Sequence, residues 1–236
     1  PTTTHTASTP PFSLPRCAGG SGSTADMRAL LLCGGGLPAD TRHLLMARVS
    51  EALAGSALVH ALIARNRADS IFREAEDSAT ILIAANVASP ELPALVEHLR
   101  QRLELTPALL IHAVCSGRLE FFTAAMVNLS GLDDRKVRAI LATGRPHALK
   151  ALFQSVGLLG DVVDVFIEAT LMWRRAARSH LSQAAASVSA ELLAHFRNVD
   201  GSETLFELLH AVRKLTIAEE RQKARHYAEA LTVEAA

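Results

Sequence analysis

Two copies of one short unit occupy residues 106–158, and this repetition constrains the fold more than any other feature of the chain. The first copy runs from Thr106 through Gly117-Arg118 to Gly131-Leu132, the second from Asp133 through Gly144-Arg145 to Gly157-Leu158. In both, eleven positions separate the opening residue from the Gly-Arg pair, and the two pairs lie 27 residues apart. Thr106 and Asp133 suit helix N-caps, because their side-chain oxygens can accept from the free amides of a first turn, and Pro107 suits the first helical position. Gly117, Gly131, Gly144 and Gly157 are expected to supply the left-handed conformation that ends a helix. Each unit therefore reads as two helices of about ten residues joined by a tight turn. Leu109, Leu110, Ala113 and Val114 form one apolar stripe, and Phe121, Phe122, Ala125, Met126 and Leu129 form its partner. Val137, Ile140 and Leu141, then Leu149, Leu152, Phe153 and Val156, repeat the arrangement. A hairpin this small cannot cover its own apolar face, so the units are expected to stack on neighbours.

The residues Thr106-Pro107-x-Leu109-Leu110, Gly117, Glu120-Phe121-Phe122, Ala124-Ala125, Leu129-Ser130-Gly131-Leu132, Val137 and Ile140-Leu141 carry a resemblance. Over about residues 105–160 the chain resembles an uncharacterised bacterial family of HEAT-like helical repeats, with a looser likeness from Ala39 to Leu103. The resemblance implies an all-helical bacterial protein whose matching positions are caps, glycines and core residues. It transfers no catalytic residue.

The rest of the chain reads as helix too. Leu44, Leu45, Val49, Ala52 and Leu53 recur at helical spacing, as do Leu58, Leu62 and Ile63 after Gly55, and later Leu95, Val96, Leu99 and Leu103. At 78–88 a buried strand competes, through Ile81, Leu82, Ile83 and Val87, but no partner strand is evident and Ala and Asn are weak strand formers. Asp161 is expected to cap a helix bearing Val162, Val165, Phe166, Ala169, Met172 and Trp173, apolar around so much of its circumference that it reads as the central buried helix. A last long helix starts near Ser202 or Thr204, where Thr204-x-x-Glu207 has the form of a capping box, with Leu205, Leu208, Leu209, Val212 and Leu215 as its stripe.

The expected fold is thus all-α: stacked helical hairpins in a HEAT-like array with a long C-terminal helix. Residues 1–25 contain no Asp or Glu and four of the nine prolines, which reads as a disordered tail. An acid-free, Ser/Thr-rich start also suits an organelle transit peptide, against which stands Arg16 as its single strong base. Residues 26–37 form a Gly-rich boundary, 38–104 an N-terminal helical part, 105–160 the tandem hairpins, and 161–236 C-terminal helices packing on them. The run Ala29–Cys33 is shorter than the ~7–15 residues of a signal-peptide core, and no apolar run approaches the ~18 of a membrane span. Three widely spaced cysteines (Cys17, Cys33, Cys115) make no disulfide framework and fit a reducing compartment, so the cytoplasm is expected.

Function is constrained mainly by what is missing. Gly34-Gly35-Gly36 follows an apolar run, but Pro38 and Ala39 stand where a dinucleotide-binding G-x-G-x-x-G would finish. Ten histidines show neither an i, i+4 pair nor His-Glu-x-x-His, so no metal or cofactor is expected. No serine sits in Gly-x-Ser-x-Gly, and Cys115, inside an apolar stripe, reads as a small buried hydrophobe. With 24 Lys+Arg against 24 Asp+Glu, the chain lacks the basic excess of a nucleic-acid coat. The expected function is a non-enzymatic protein-interaction or scaffold module with a protein partner, and homo-oligomers are compatible with it. Candidate partner surfaces are the basic sets Arg135, Lys136, Arg138 and Arg145, and Arg174, Arg175 and Arg178. Two alternatives stand beside this. His147 with Lys150 three residues later resembles a histidine-phosphotransfer motif, though Pro146 puts His147 in the first turn of its helix and Ala151 replaces the usual Gly. The Arg135/Arg138/Arg145 face, less favoured, suits phosphate contacts to nucleic acid.

Overall fold

The computed structural model describes residues 37–178 and 187–234. The tail 1–25, the run Ala29–Cys33, Cys17 and all of the Gly-rich boundary except Leu37 lie outside the described residues. Eleven α-helices and one 3-10 turn make up the described chain, with no strand among the described residues. The N-terminal part holds α1 (Ala39–Ala54), α2 (Ala57–Leu62), α3 (Arg65–Ala85), the 3-10 turn Ser89–Glu91 and α4 (Leu92–Gln101). The ambiguous segment 78–88 falls mostly inside α3 and is helix. The tandem hairpins are α5 (Pro107–Cys115) with α6 (Leu119–Ser130), and α7 (Asp134–Thr143) with α8 (Pro146–Ser155). Then come α9 (Val162–Arg178), α10 (Val188–His195) and the long α11 (Glu203–Glu234).

The four helices α5–α8 form for the reasons their residues suggest, with two differences. Thr106 Oγ1 accepts from the Leu109 N–H at 3.2 Å, and Pro107 opens α5. Asp133 occupies the equivalent position before α7 but makes no side-chain cap, leaving its backbone carbonyl to accept from Val137 N–H at 3.1 Å. Gly117, Gly131 and Gly157 adopt φ of 68°, 67° and 91°, the left-handed region. Gly144 does not: it is extended, with φ −59° and ψ 144°. Its need for glycine is steric, since a Cβ there would lie 2.5 Å from the Ile140 carbonyl oxygen.

The stripes of the hairpins turn inward as expected, buried at their centres and half-buried at Leu129, Ile140, Leu141 and Val156. α4, α6 and α8 lie side by side, and α5 packs against α6 while also touching α3, α9 and α11. Six of the nine residues of α5 are buried, so α5 shares the central role expected of α9, which itself packs on α5, α8, α10 and α11. Phe121 and Phe122 point about 100° apart. Each is 1% exposed, which requires packing on two sides of α6. Phe122 stacks on Phe166 of α9 (centroids 6.2 Å, interplanar angle 8°), and Phe153 of α8 closes the cluster at 5.7 Å from Phe166.

Three expectations outside residues 106–158 are corrected. The apolar residues of α1 face outward: Leu44, Leu45, Val49 and Leu53 are exposed, while Ala39, His43, Met46, Ala47 and Ser50 are buried. Leu103, expected in the stripe of α4, is exposed at φ 60°, the one non-glycine left-handed residue described, and ends that helix with Glu104 N–H donating to the Leu99 carbonyl. The Asp161 carboxylate, expected to cap α9, reaches across to the start of α11, accepting the Ser202 N–H (2.7 Å) and hydroxyl (2.8 Å). Of the two starts expected for α11, Ser202 is the one used: it caps the helix by accepting from Leu205 N–H at 3.2 Å, and the Thr204 capping box is not formed.

Candidate functional site

The six arginines expected to form a partner surface divide by environment. Arg135, Arg145, Arg175 and Arg178 are exposed, the last two in the final turn of α9, where positive charge complements the helix dipole. Arg138 is tied down. Its Nη1 and Nη2 reach Glu120 Oε1 and Oε2 at 2.8 and 2.9 Å, and its Nε reaches Asp134 at 2.8 Å, joining α7 to the first turn of α6. Arg174 is not surface at all. It is 8% exposed, and its Nε, Nη1 and Nη2 donate to the carbonyls of Leu141 (2.6 Å), Gly144 (2.8 Å) and Ile140 (2.6 Å). The guanidinium thus adds donors at the C-terminal end of α7, where the Leu141 and Gly144 carbonyls have run out of helix N–H groups and the Ile140 carbonyl also accepts from Gly144 N–H at 2.9 Å. The run Trp173-Arg174-Arg175 gives no sign of this, because the accepting carbonyls lie 30–34 residues earlier. His147 and Lys150 are both exposed on α8, with His147 in its first turn directly after Pro146.

Two further arrangements emerge only from packing. The first is a cleft of about 440 Å³ between α3, α5 and α11. Ile111, Val212 and Leu215 line its apolar side, and Asp77, His112 and Lys214 its polar side. Lys214 bridges α11 to α3 by donating to Glu74 and to Ser70, the latter at 3.0 Å. Asp77 makes no ion pair with any described residue; burial, and then the neighbouring Glu76 carboxylate, push its pKa up to about 6. Burial lowers the His112 pKa to about 4, so this ring is neutral near pH 7. Among the described residues no group of three or more His, Cys, Asp or Glu side chains is placed to hold a metal ion.

The second arrangement is the outer side of α1 and α2. Leu44, Leu45, Val49 and Leu53 on α1 and Leu58 and Leu62 on α2 are 38–75% exposed. Beneath α1 the buried face is unusually polar. His43, 2% exposed, meets the His98 ring edge-on at 5.3 Å and lies 3.4 Å from Glu104. Burial, then His98 and Arg102, lower its pKa to about 4. Cys115 is buried, and desolvation raises its thiol to about 12, which removes it as a nucleophile near neutral pH. Among the described residues no helix is long and apolar enough to cross a membrane.

The model of a family described as an uncharacterised protein conserved in bacteria (DUF2336) matches residues 4–205. No curated protein and no solved structure matches the chain.

Proposed function

We propose that the chain, which belongs to this bacterial family, works as a non-enzymatic protein-interaction module in the cytoplasm. The observation that carries this reading is the row of exposed leucines on α1 and α2. Scattered surface leucines need no explanation, but an apolar row along neighbouring helices is the kind of surface that protein partners cover. In this reading the tandem hairpins, stacked in HEAT-like fashion, are a rigid mount for the α1–α2 face, and the exposed arginines of α7 and α9 add charged contacts at a distance from it. The test replaces Leu58 and Leu62 with Ser in the full chain. Cross-linking in the native cell should lose its protein adducts while the melting temperature stays unchanged. Equal adduct yield from the variant would overturn the reading.

A further inference from the structure

The outward face of α1 has an internal order that names its occupant. At about 100° per residue, Leu45 and Ala52 lie at the centre of the exposed side. Val49 and Leu53 lie on one flank, and Leu44, Arg48 and Glu51 on the other. Those seven are exposed, whereas Arg42, on the first flank about two turns before Val49, is half-buried. Arg48 and Glu51 make no ion pair with any described residue, although they stand three positions apart on the helix. A charge of each sign, unpaired and on the same flank of an apolar row, is a self-complementary pattern.

We infer that a second copy of this chain covers the α1 face, the two α1 helices packing antiparallel about a two-fold axis level with Val49 and Ser50. This rests on the reading of α1–α2 as an interaction surface. A two-fold axis that crosses both helices in the plane between them keeps each flank facing its own counterpart and reverses the chain direction. Val49 of one copy then meets Val49 of the other on the apolar flank, and Leu45 comes within one turn of the other copy's Ala52 at the centre. On the charged flank, Arg48 of each copy stands level with Glu51 of the other, forming two equivalent ion pairs. Parallel pairing about an axis along the helices would instead lay Arg48 and Glu51 of each copy on Val49 and Leu53 of the other. That buries unpaired charge against apolar side chains, so the order of the flanks selects against it. The balance of 24 basic and 24 acidic residues leaves no net repulsion between copies.

Sedimentation of the full chain from about 1 to about 100 μM tests the arrangement. The wild type should sediment as a dimer at the upper end, and Leu45→Asp should be monomeric with unchanged helicity. Arg48→Glu should weaken self-association about tenfold, and Arg48→Glu combined with Glu51→Arg should restore it, because the swapped charges again meet across the axis. A wild type that is monomeric throughout, or a double swap no better than the single one, overturns the inference. A photo-cross-linking residue at position 45 separates this failure from that of the interaction reading. An adduct of twice the chain mass supports the dimer. Adducts with other proteins alone overturn the dimer and leave the interaction surface standing, and no adduct at all overturns both.

Discussion

The tandem hairpins and the first helix solve the same packing problem in opposite ways. In α5–α8, leucines and phenylalanines at helical spacing turn inward, and the charges of Arg135, Arg138 and Arg145 turn out. In α1, leucines at equally regular spacing turn outward, and the inward side carries Ala39, Ala47, Ser50 and the imidazole of His43. Periodicity identifies a stripe but not the side that is buried; that depends on which neighbours exist. α5 and α6 are contacted by other helices on several sides, whereas the chief neighbours of α1 are α2, α3 and α4. Small residues on its inner face let α1 approach them closely, since interaxial distance follows the side chains at the contact.

The strongest test of this contrast empties one site on each side of it. Phe122 is 1% exposed and stacked on Phe166, so Phe122→Ala should cost about 3–5 kcal/mol in denaturant melts. Leu58→Ala on α2, where the side chain is 69% exposed, should cost less than about 0.5 kcal/mol. Similar losses at the two positions would show that α2 is packed more tightly than its exposure indicates.

Arg174 is the exception inside the apolar half, and its removal should have the next largest effect. Arg174→Met preserves much of the aliphatic volume but takes the guanidinium donors away from the carbonyls of Ile140, Leu141 and Gly144. The expected loss is about 2–4 kcal/mol, with faster amide exchange confined to the last turn of α7. Arg174→Lys should fall between, because one ammonium cannot serve three carbonyls in the guanidinium geometry. A variant as stable as the wild type would mean that the Leu141 and Gly144 carbonyls are satisfied in another way, since that of Ile140 keeps the Gly144 N–H.

Arg174 and the hairpin caps together mark how far the sequence is informative. Caps and glycines act locally, so Thr106, Pro107, Gly117, Gly131 and Gly157 announce the hairpin boundaries directly. Gly144 shows the limit: its glycine signal is identical, yet close approach to Ile140 and not a left-handed φ is what requires it. The sites formed by distant segments are illegible in a single sequence. Arg174 meets carbonyls 30–34 positions earlier, and Lys214 meets Glu74 across 140 positions. The cleft of Asp77 and His112 exists only because α11 returns to α3 and α5, and no local motif records that.

A smaller effect than that of Arg174 is expected at Asp77, a half-buried carboxylate that lines the cleft between α3, α5 and α11. Its folded pKa of about 6 lies above the ordinary value of 3.8, so between these values the folded chain binds the proton more readily than the unfolded chain. Stability from this group therefore rises as pH falls from about 6 to about 4, and above about pH 6 the ionised carboxylate carries a constant penalty. Asp77→Asn should accordingly stabilise the protein by about 1–2 kcal/mol at pH 8, with the gain vanishing near pH 4. His43 and His112 run the other way. Their folded pKa of about 4 lies below the ordinary 6.5, so each destabilises the fold as pH falls through that window. Because the substitution leaves both histidines in place, subtracting the two stability–pH curves cancels their contribution and isolates Asp77. A difference independent of pH would show that Asp77 is solvated as an ordinary surface carboxylate, and the side of α3 that faces α11 would then be wetter than its burial in the structure requires.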